Sequence, residues 1–138
     1  MKRVILESPY AGDIDLNIEY ARKCVRDSLS RGEAPIASHL LYTQPGILRD
    51  EVAEERQWGI DAGLTWRSVA DATVVYTDRG ISRGMEYGIA AARRSGLPVE
   101  FRSIEIQNQP DCHLANTRLS VEGSDIQQSA LRTGEDVQ

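Results

Sequence analysis

The stretch from Asp71 to Gly96, DATVVYTDRGISRGMEYGIAAARRSG, constrains this chain more than any other. It opens with a short apolar, β-branched run, Ala72 to Tyr76, bounded by polar residues, which is the pattern of a buried strand. A loop with glycines at Gly80 and Gly84 follows. The segment GMEYGIAAARR then has helical composition and stops at Gly96, with arginines in its last turn where cations offset the carbonyl end of a helix. A strand, a glycine loop and a helix start together aim backbone N–H groups at an anion. In an open α/β fold that junction lies at the carboxyl end of the sheet, where ligands bind. The loop offers Asp78, Arg79, Ser82 and Arg83, and the first helical turn offers Glu86. A carboxylate beside a phosphate cradle suggests chemistry on a nucleotide or sugar phosphate. The simpler reading is a carboxylate that only answers the helix dipole.

The rest of the chain repeats the same alternation. Lys2 to Leu6 reads as a first strand, and ESPYAGD as a turn punctuated by Pro9 and Gly12. Asp13 or Asp15 can cap a helix running to about Arg31, with Ile18, Ala21, Cys24, Val25 and Leu29 at helical spacing and Gly32 at its end. APIASHLL reads as a second short strand with its exit loop, and TQPGI as a turn. A longer helix is expected from about Leu48 to Val69, with a stripe of Val52, Gly59, Gly63 and Trp66 small enough to lie close on a sheet. Leu97 to Ile104 supplies a fourth strand. The order β-α-β-α-β-α-β predicts a single three-layer α/β domain, a flavodoxin-like or Rossmann-like parallel sheet of about four strands with right-handed crossovers.

The domain is expected to span residues 1–106. Residues 107–138 are polar and weakly periodic, and are expected to form an acidic tail, partly disordered or an arm on a neighbouring subunit. Six of the 21 acidic residues but only two of the 16 Lys and Arg lie from Glu105 onward, so residues 1–104 carry 15 acids against 14 bases. With no strongly basic face, nucleic acid is not an expected partner. No apolar run approaches the roughly 20 residues of a membrane span, and MKRVILESP is too short for a signal peptide. Cys24 and Cys112 lie far apart and suggest neither a disulfide framework nor a metal site, so a reduced, cytoplasmic setting is expected.

The motif residues resemble a known group. Ala70, Asp71, Gly84, Glu86, Gly88 and Ala90 match, in order, the signature of the nucleoside 2-deoxyribosyltransferase superfamily, which includes deoxynucleotide N-glycosidases. VILESPYAGD is similar to that family's first strand followed by a small residue and proline. A closer likeness is to uncharacterised domains of bacteria and phages with SPY-x-GD (Ser8, Pro9, Tyr10, Gly12, Asp13), PIA-x-HLL (Pro35 to Leu41) and ISxGM (Ile81, Ser82, Gly84, Met85). The resemblance covers roughly residues 3–103. It implies that Glu86 is a nucleophile attacking the anomeric carbon, because an oxocarbenium-like transition state needs a nearby carboxylate and the leaving base needs a proton. It also implies a homo-oligomer, a nucleoside or nucleotide as partner, and no metal or redox cofactor.

Two departures from that family stand out. Its aspartate eight residues before Asp71 is replaced by Gly63, and Asp61 lies about 200° away round a helix. Its first-strand tyrosine is replaced by Ile5, with Tyr10 the residue able to reach the same space. Around Glu86, the expected substrate-binding residues are Ser8, Tyr10, His39, Asp78, Arg79, Ser82, Arg83 and Gly84. Each has a plainer alternative: Ser82 a helix cap, Ser8 a turn, His39 a structural histidine, the arginines solvated surface. Asp13 reads as a cap, Asp71 as an anchor for loops, Trp58 and Trp66 as core or subunit-contact residues, and His113 as solvated. The leading expectation is hydrolysis or transfer at the N-glycosidic bond of a deoxynucleoside or its 5′-monophosphate. The alternative is a nucleotide-binding module without chemistry, favoured by Gly63.

Overall fold

The central strands form where β-branched residues run without interruption. Ala72–Tyr76 (β3) is buried at every position, and Lys2–Glu7 (β1) is buried at Val4, Ile5 and Leu6. Glu33–Ile36 (β2) and Val99–Arg102 (β4) flank them as edges. The structure, a computed structural model, describes residues 1–105. Its four strands are all parallel, in the order β2-β1-β3-β4. Glu7 is paired with Val75 and Ile5 with Thr73. From β1 the chain steps outward to β2, then returns across the sheet to β3. The strand order therefore reverses between β1 and β3, and it is at the carboxyl ends of such strands that open α/β sheets bind ligands.

The helix Ile14–Ser30 (α1) covers one face, with Tyr20 and Cys24 packed on Val4, Leu6, Val74 and Tyr76. The helix Arg83–Arg94 (α4) covers the other, with Met85 and Ile89 packed on Val75 and Val99. Alternation along a strand decides which residue meets which helix. Val74 and Tyr76 look toward α1, while Thr73 and Val75 look toward α4. Asp13 caps α1, its carboxylate accepting from the Leu16 amide at 3.3 Å. Asp71 ties the starts of β1 and β3 together, accepting from the Arg3 amide at 2.8 Å while its own amide donates to the Arg3 carbonyl at 2.8 Å.

The expectations fail between the second and third strands. Ser38–Leu41 is a one-turn helix (α2), not an exit loop. The long helix does not begin at Leu48. Gly46 takes a positive φ of 86° and the Leu48 amide turns back to the Tyr42 carbonyl, so helix α3 spans only Ala53–Thr65 and passes into a 3-10 turn, Trp66–Val69. The small-residue stripe packs on α2 and its following turn, not on the sheet. A Cβ at Gly59 would lie 3.3 Å from Leu48 Cδ1, and one at Gly63 would lie 2.6 Å from Ser38 Oγ. Trp58 is not core, being 68% exposed, and Trp66 donates from its indole to the Tyr42 hydroxyl at 2.9 Å. His113, Cys112 and the expected tail lie outside the described residues. Among the described residues, no helix is long and apolar enough to cross a membrane.

Candidate active site

The carboxyl ends of β1 and β3, with the short helix after β2 and the first turn of α4, bring most of the expected residues to one end of the sheet. Ser8 follows β1 directly and is buried, and its hydroxyl lies 2.6 Å from His39 Nε2 on α2. Burial pushes the His39 imidazole down to about 4, so it is neutral at pH 7. A serine hydroxyl on a neutral imidazole has the make-up of a nucleophile and its base. Here the serine is only 3% exposed, which suits a fixed wall better than an attacking group. Tyr10 is half-buried, and its carbonyl accepts from Asn17 Nδ2 at 3.0 Å, which ties the loop to α1.

Asp78 sits at the end of β3 as a junction. Its carboxylate accepts from the Tyr20 hydroxyl at 2.6 Å, from the Ile104 amide at 3.0 Å and from the Ser103 hydroxyl, joining α1 to the exits of β3 and β4. Arg79 is exposed and stacks its guanidinium 5.0 Å from the centre of the Tyr20 ring. The aspartate is engaged in holding the loop that carries Arg79 and Gly80.

Ser82 caps α4, its hydroxyl accepting from the Met85 amide at 3.3 Å while its own amide reaches the Met85 sulfur at 3.4 Å. The next amides, of Arg83 and Gly84, belong to the first turn, whose N–H groups have no carbonyl within the helix to bond. The two glycines of the G-x-E-x-G pattern do opposite things. A Cβ at Gly84 would meet nothing within 4 Å, and its φ is not positive, so neither packing nor conformation demands glycine there. What the missing side chain leaves is close access to the helix end. A Cβ at Gly88 would lie 2.7 Å from Glu7 Cδ and closer still to Glu7 Oε1, so Gly88 is glycine because a carboxyl fills its place.

Glu86 is solvent-exposed in the first turn of α4. Positions 86 and 88 differ by about 200° round the helix, so Glu86 does not share the side that meets Glu7. Helical side chains lean toward the N-terminus, which inclines Glu86 toward the start of α4.

Glu7 is the residue that the sequence reading missed. It reads as the first member of a turn, yet it is the last residue of β1 and points to the α4 face. Burial pushes its carboxyl up from 4.5 to about 7, with the Arg67 guanidinium pulling the other way. Among the described residues no hydrogen bond reaches its side chain. Arg67 donates to the Gly88 carbonyl at 3.4 Å while its buried Nε has no partner, and the buried Thr73 hydroxyl has none either. Arg67 Nε and the Thr73 hydroxyl, buried without partners, cost about 1–3 kcal/mol each, which is uncommon unless the place has a use. Two signals point to it: an acid directly after the apolar run Val4 to Leu6, and a glycine in the middle of a helix. Among the described residues no three His, Cys, Asp or Glu gather in a way that could hold a metal ion.

The fold and this end of the sheet define a flavodoxin-like α/β domain with its polar residues at the β1/β3 reversal. Residues 2–102 match the family model described as "Domain of unknown function (DUF7768)", and the chain belongs to that family. No curated protein matches it. Among solved structures it is similar to the 2-deoxyribosyltransferase from the psychrotolerant bacterium Bacillus psychrosaccharolyticus, at 21% identity and a TM-score of 0.53, over 73% of this chain and 72% of that one. At that identity the likeness establishes a shared fold.

Proposed function

We propose that this domain, residues 1–106, cleaves or exchanges the N-glycosidic bond of a deoxynucleoside or deoxynucleoside 5′-monophosphate, with Glu86 as the nucleophile. The observation that carries this is the exposed Glu86 carboxylate on the open first turn of α4, on a fold shared with an enzyme characterised as a biocatalyst for nucleoside synthesis. A Glu86 oxygen attacks C1′ and the C1′–N bond breaks with its electron pair passing to the base. Water, or a second base, then takes the sugar from the glutamyl ester. The Ser82 cap and the Arg83 and Gly84 amides hold the 5′-phosphate, with Arg79 and Arg83 as cations beside it. The Ser8–His39 pair and Tyr10 form the wall against sugar and base. Asp78 acts by fixing the loop.

A second reading is favoured by Gly63. Gly63 carries no carboxylate, and Ser38 stands in its place, its Oγ 2.6 Å from where a Cβ would be. A domain that keeps the cradle but has no chemistry would be a nucleotide-binding module, a sensor or sink. One experiment separates the two. The protein is incubated with each deoxynucleoside and 5′-monophosphate, free base is measured by chromatography, and Glu86→Gln runs alongside. Base release that falls at least about a thousand-fold in the variant is expected. No release from any substrate, with a nucleotide-dependent rise in melting temperature, would leave the binding module. Adding a second free base separates transfer from hydrolysis.

A further inference from the structure

Cleaving a nucleoside bond asks for two things at once: electrons at the sugar and a proton at the departing base. Glu86 answers only the first. Glu7 lies at the same reversal of strand order, as the last residue of β1 immediately before the buried Ser8. Its carboxyl lies against α4 in the place where Gly88 has no side chain, and the residue is half-buried. The roughly 200° between positions 86 and 88 sets the two carboxyls on different sides of the helix start. The two carboxyls thus approach the start of α4 from different sides, and attack at C1′ and proton delivery to the leaving nitrogen likewise need two separately placed groups.

Its surroundings do not use Glu7 as a structural acid. Arg67, whose charge pulls against that burial, donates from Nη2 to the Gly88 carbonyl and leaves Nε without a partner. The Thr73 hydroxyl, on the same face of β3, is likewise unpartnered. A carboxyl in an ion pair would be a permanent anion. This one is held by burial where it exchanges its proton around neutral pH, as a general acid must.

We propose that Glu7 is a second catalytic carboxyl of this domain, protonating the departing base while Glu86 attacks the sugar. The inference rests on the N-glycosidic reading above and deepens it. In the first step the Glu86 oxygen bonds C1′, the C1′–N pair goes to the base, and the proton on Glu7 goes to the base nitrogen. This leaves a glutamyl ester, a neutral base and a Glu7 carboxylate. In the second step Glu7 takes a proton from water as the water oxygen bonds C1′ and the ester pair returns to Glu86. The sum is nucleoside plus water giving base plus sugar, with both carboxyls restored.

The test compares two leaving groups. Glu7→Gln is isosteric with the protonated acid and is expected to fold, which its melting curve checks. Its base release is measured on the natural deoxynucleoside or 5′-monophosphate that the wild-type protein cleaves fastest, and on 7-methyl-2′-deoxyguanosine, whose base departs neutral without a proton. The expected result is a loss of about 10²- to 10⁴-fold on the natural substrate and under about threefold on the methylated one. Gly88→Ala, which drives a Cβ into the Glu7 carboxyl, should show the same selectivity with the acid still present. An equal loss on both substrates would overturn the role of Glu7 and leave the glycosidic reading intact. Wild-type protein that releases base from neither would overturn that reading, and this role with it.

Discussion

Two carboxyls on opposite faces of the same sheet have opposite fates. Glu33 enters β2 on the α1 face, where Arg102 from β4 donates to it twice, at 2.7 and 2.6 Å, and Ser28 donates at 2.8 Å. Those bonds hold Glu33 down at about 2 against the opposing effect of burial. Glu7 leaves β1 on the α4 face with no such partner, and burial holds it up at about 7. The arginine of the first pair is itself saturated, bonding Glu100 and the Tyr76 hydroxyl as well, and Tyr76 in turn donates to Asp27 at 2.8 Å. The arginine of the second has a bare Nε. Burial with full bonding makes an architectural charge, while burial without it makes a poised one.

The largest effect expected from breaking this contrast is on the satisfied side. Arg102→Met strands Glu33 inside the protein and should lower unfolding free energy by about 3–5 kcal/mol, read from the urea midpoint. Adding Glu33→Gln should recover part of that loss, because no unpaired charge then remains. If the single variant keeps its midpoint, the network is ornamental and the comparison collapses.

The next effect has the opposite sign. Glu7 is a raised acid, so the native state binds its proton more tightly than the unfolded chain. The stability it supplies is full below about pH 4.5 and is lost as pH rises through about 7. Glu7→Gln should therefore be more stable than wild type at pH 8, by up to about 3 kcal/mol, with the difference vanishing below about pH 4.5. Glu33, a depressed acid, works in a separate window: its contribution is full above about 4.5 and is lost as pH falls through about 2. His39, depressed from 6.5 to about 4, favours the native state above 6.5 and loses that contribution as pH falls through 4. It opposes Glu7 across an overlapping range, so the wild-type curve alone can look flat. The difference between Glu7→Gln and wild type isolates the contribution of Glu7, by thermal melts at pH 4, 6 and 8. A variant gaining stability at pH 8 while losing base release would mark Glu7 as a group kept for function.

The legible parts of the chain were those written in local pattern. Four strands, α1 with its Asp13 cap, and α4 with its Ser82 cap follow from apolar period and end signals, and the parallel order follows from the alternation of elements. Between Ala37 and Val69 local pattern yields the turn and the helix end but not the late start of α3 or what its glycines pack on, because those answer to tertiary neighbours. Gly59 and Gly63 are small for Leu48 and Ser38, partners that no spacing within the helix reveals. Glu7 was passed over for the same reason. Its meaning depends on Gly88, 81 residues further on, and only the register of β1 on β3 under α4 brings the two together. Asp78 was legible as a polar loop residue but not as the junction it forms with Tyr20 and Ser103.

The smallest effect separates the two glycines of α4. Gly84 has open space where a Cβ would go and an ordinary helical φ, so Gly84→Ala should raise stability, by at most about 1 kcal/mol, through better helix propensity and a less free unfolded chain. The same methyl group would stand in front of the first-turn amides. If these hold a phosphate, the variant should weaken the thermal shift given by a deoxynucleoside 5′-monophosphate severalfold in apparent Kd and leave the shift from the unphosphorylated nucleoside unchanged. Equal weakening of both ligands would place the phosphate elsewhere and make Gly84 a residue of the sugar or base contact. No change in either, with the gain in stability, would mean that the open end of α4 serves no ligand. Glu86 on that same turn would then lose the nearest support for its role.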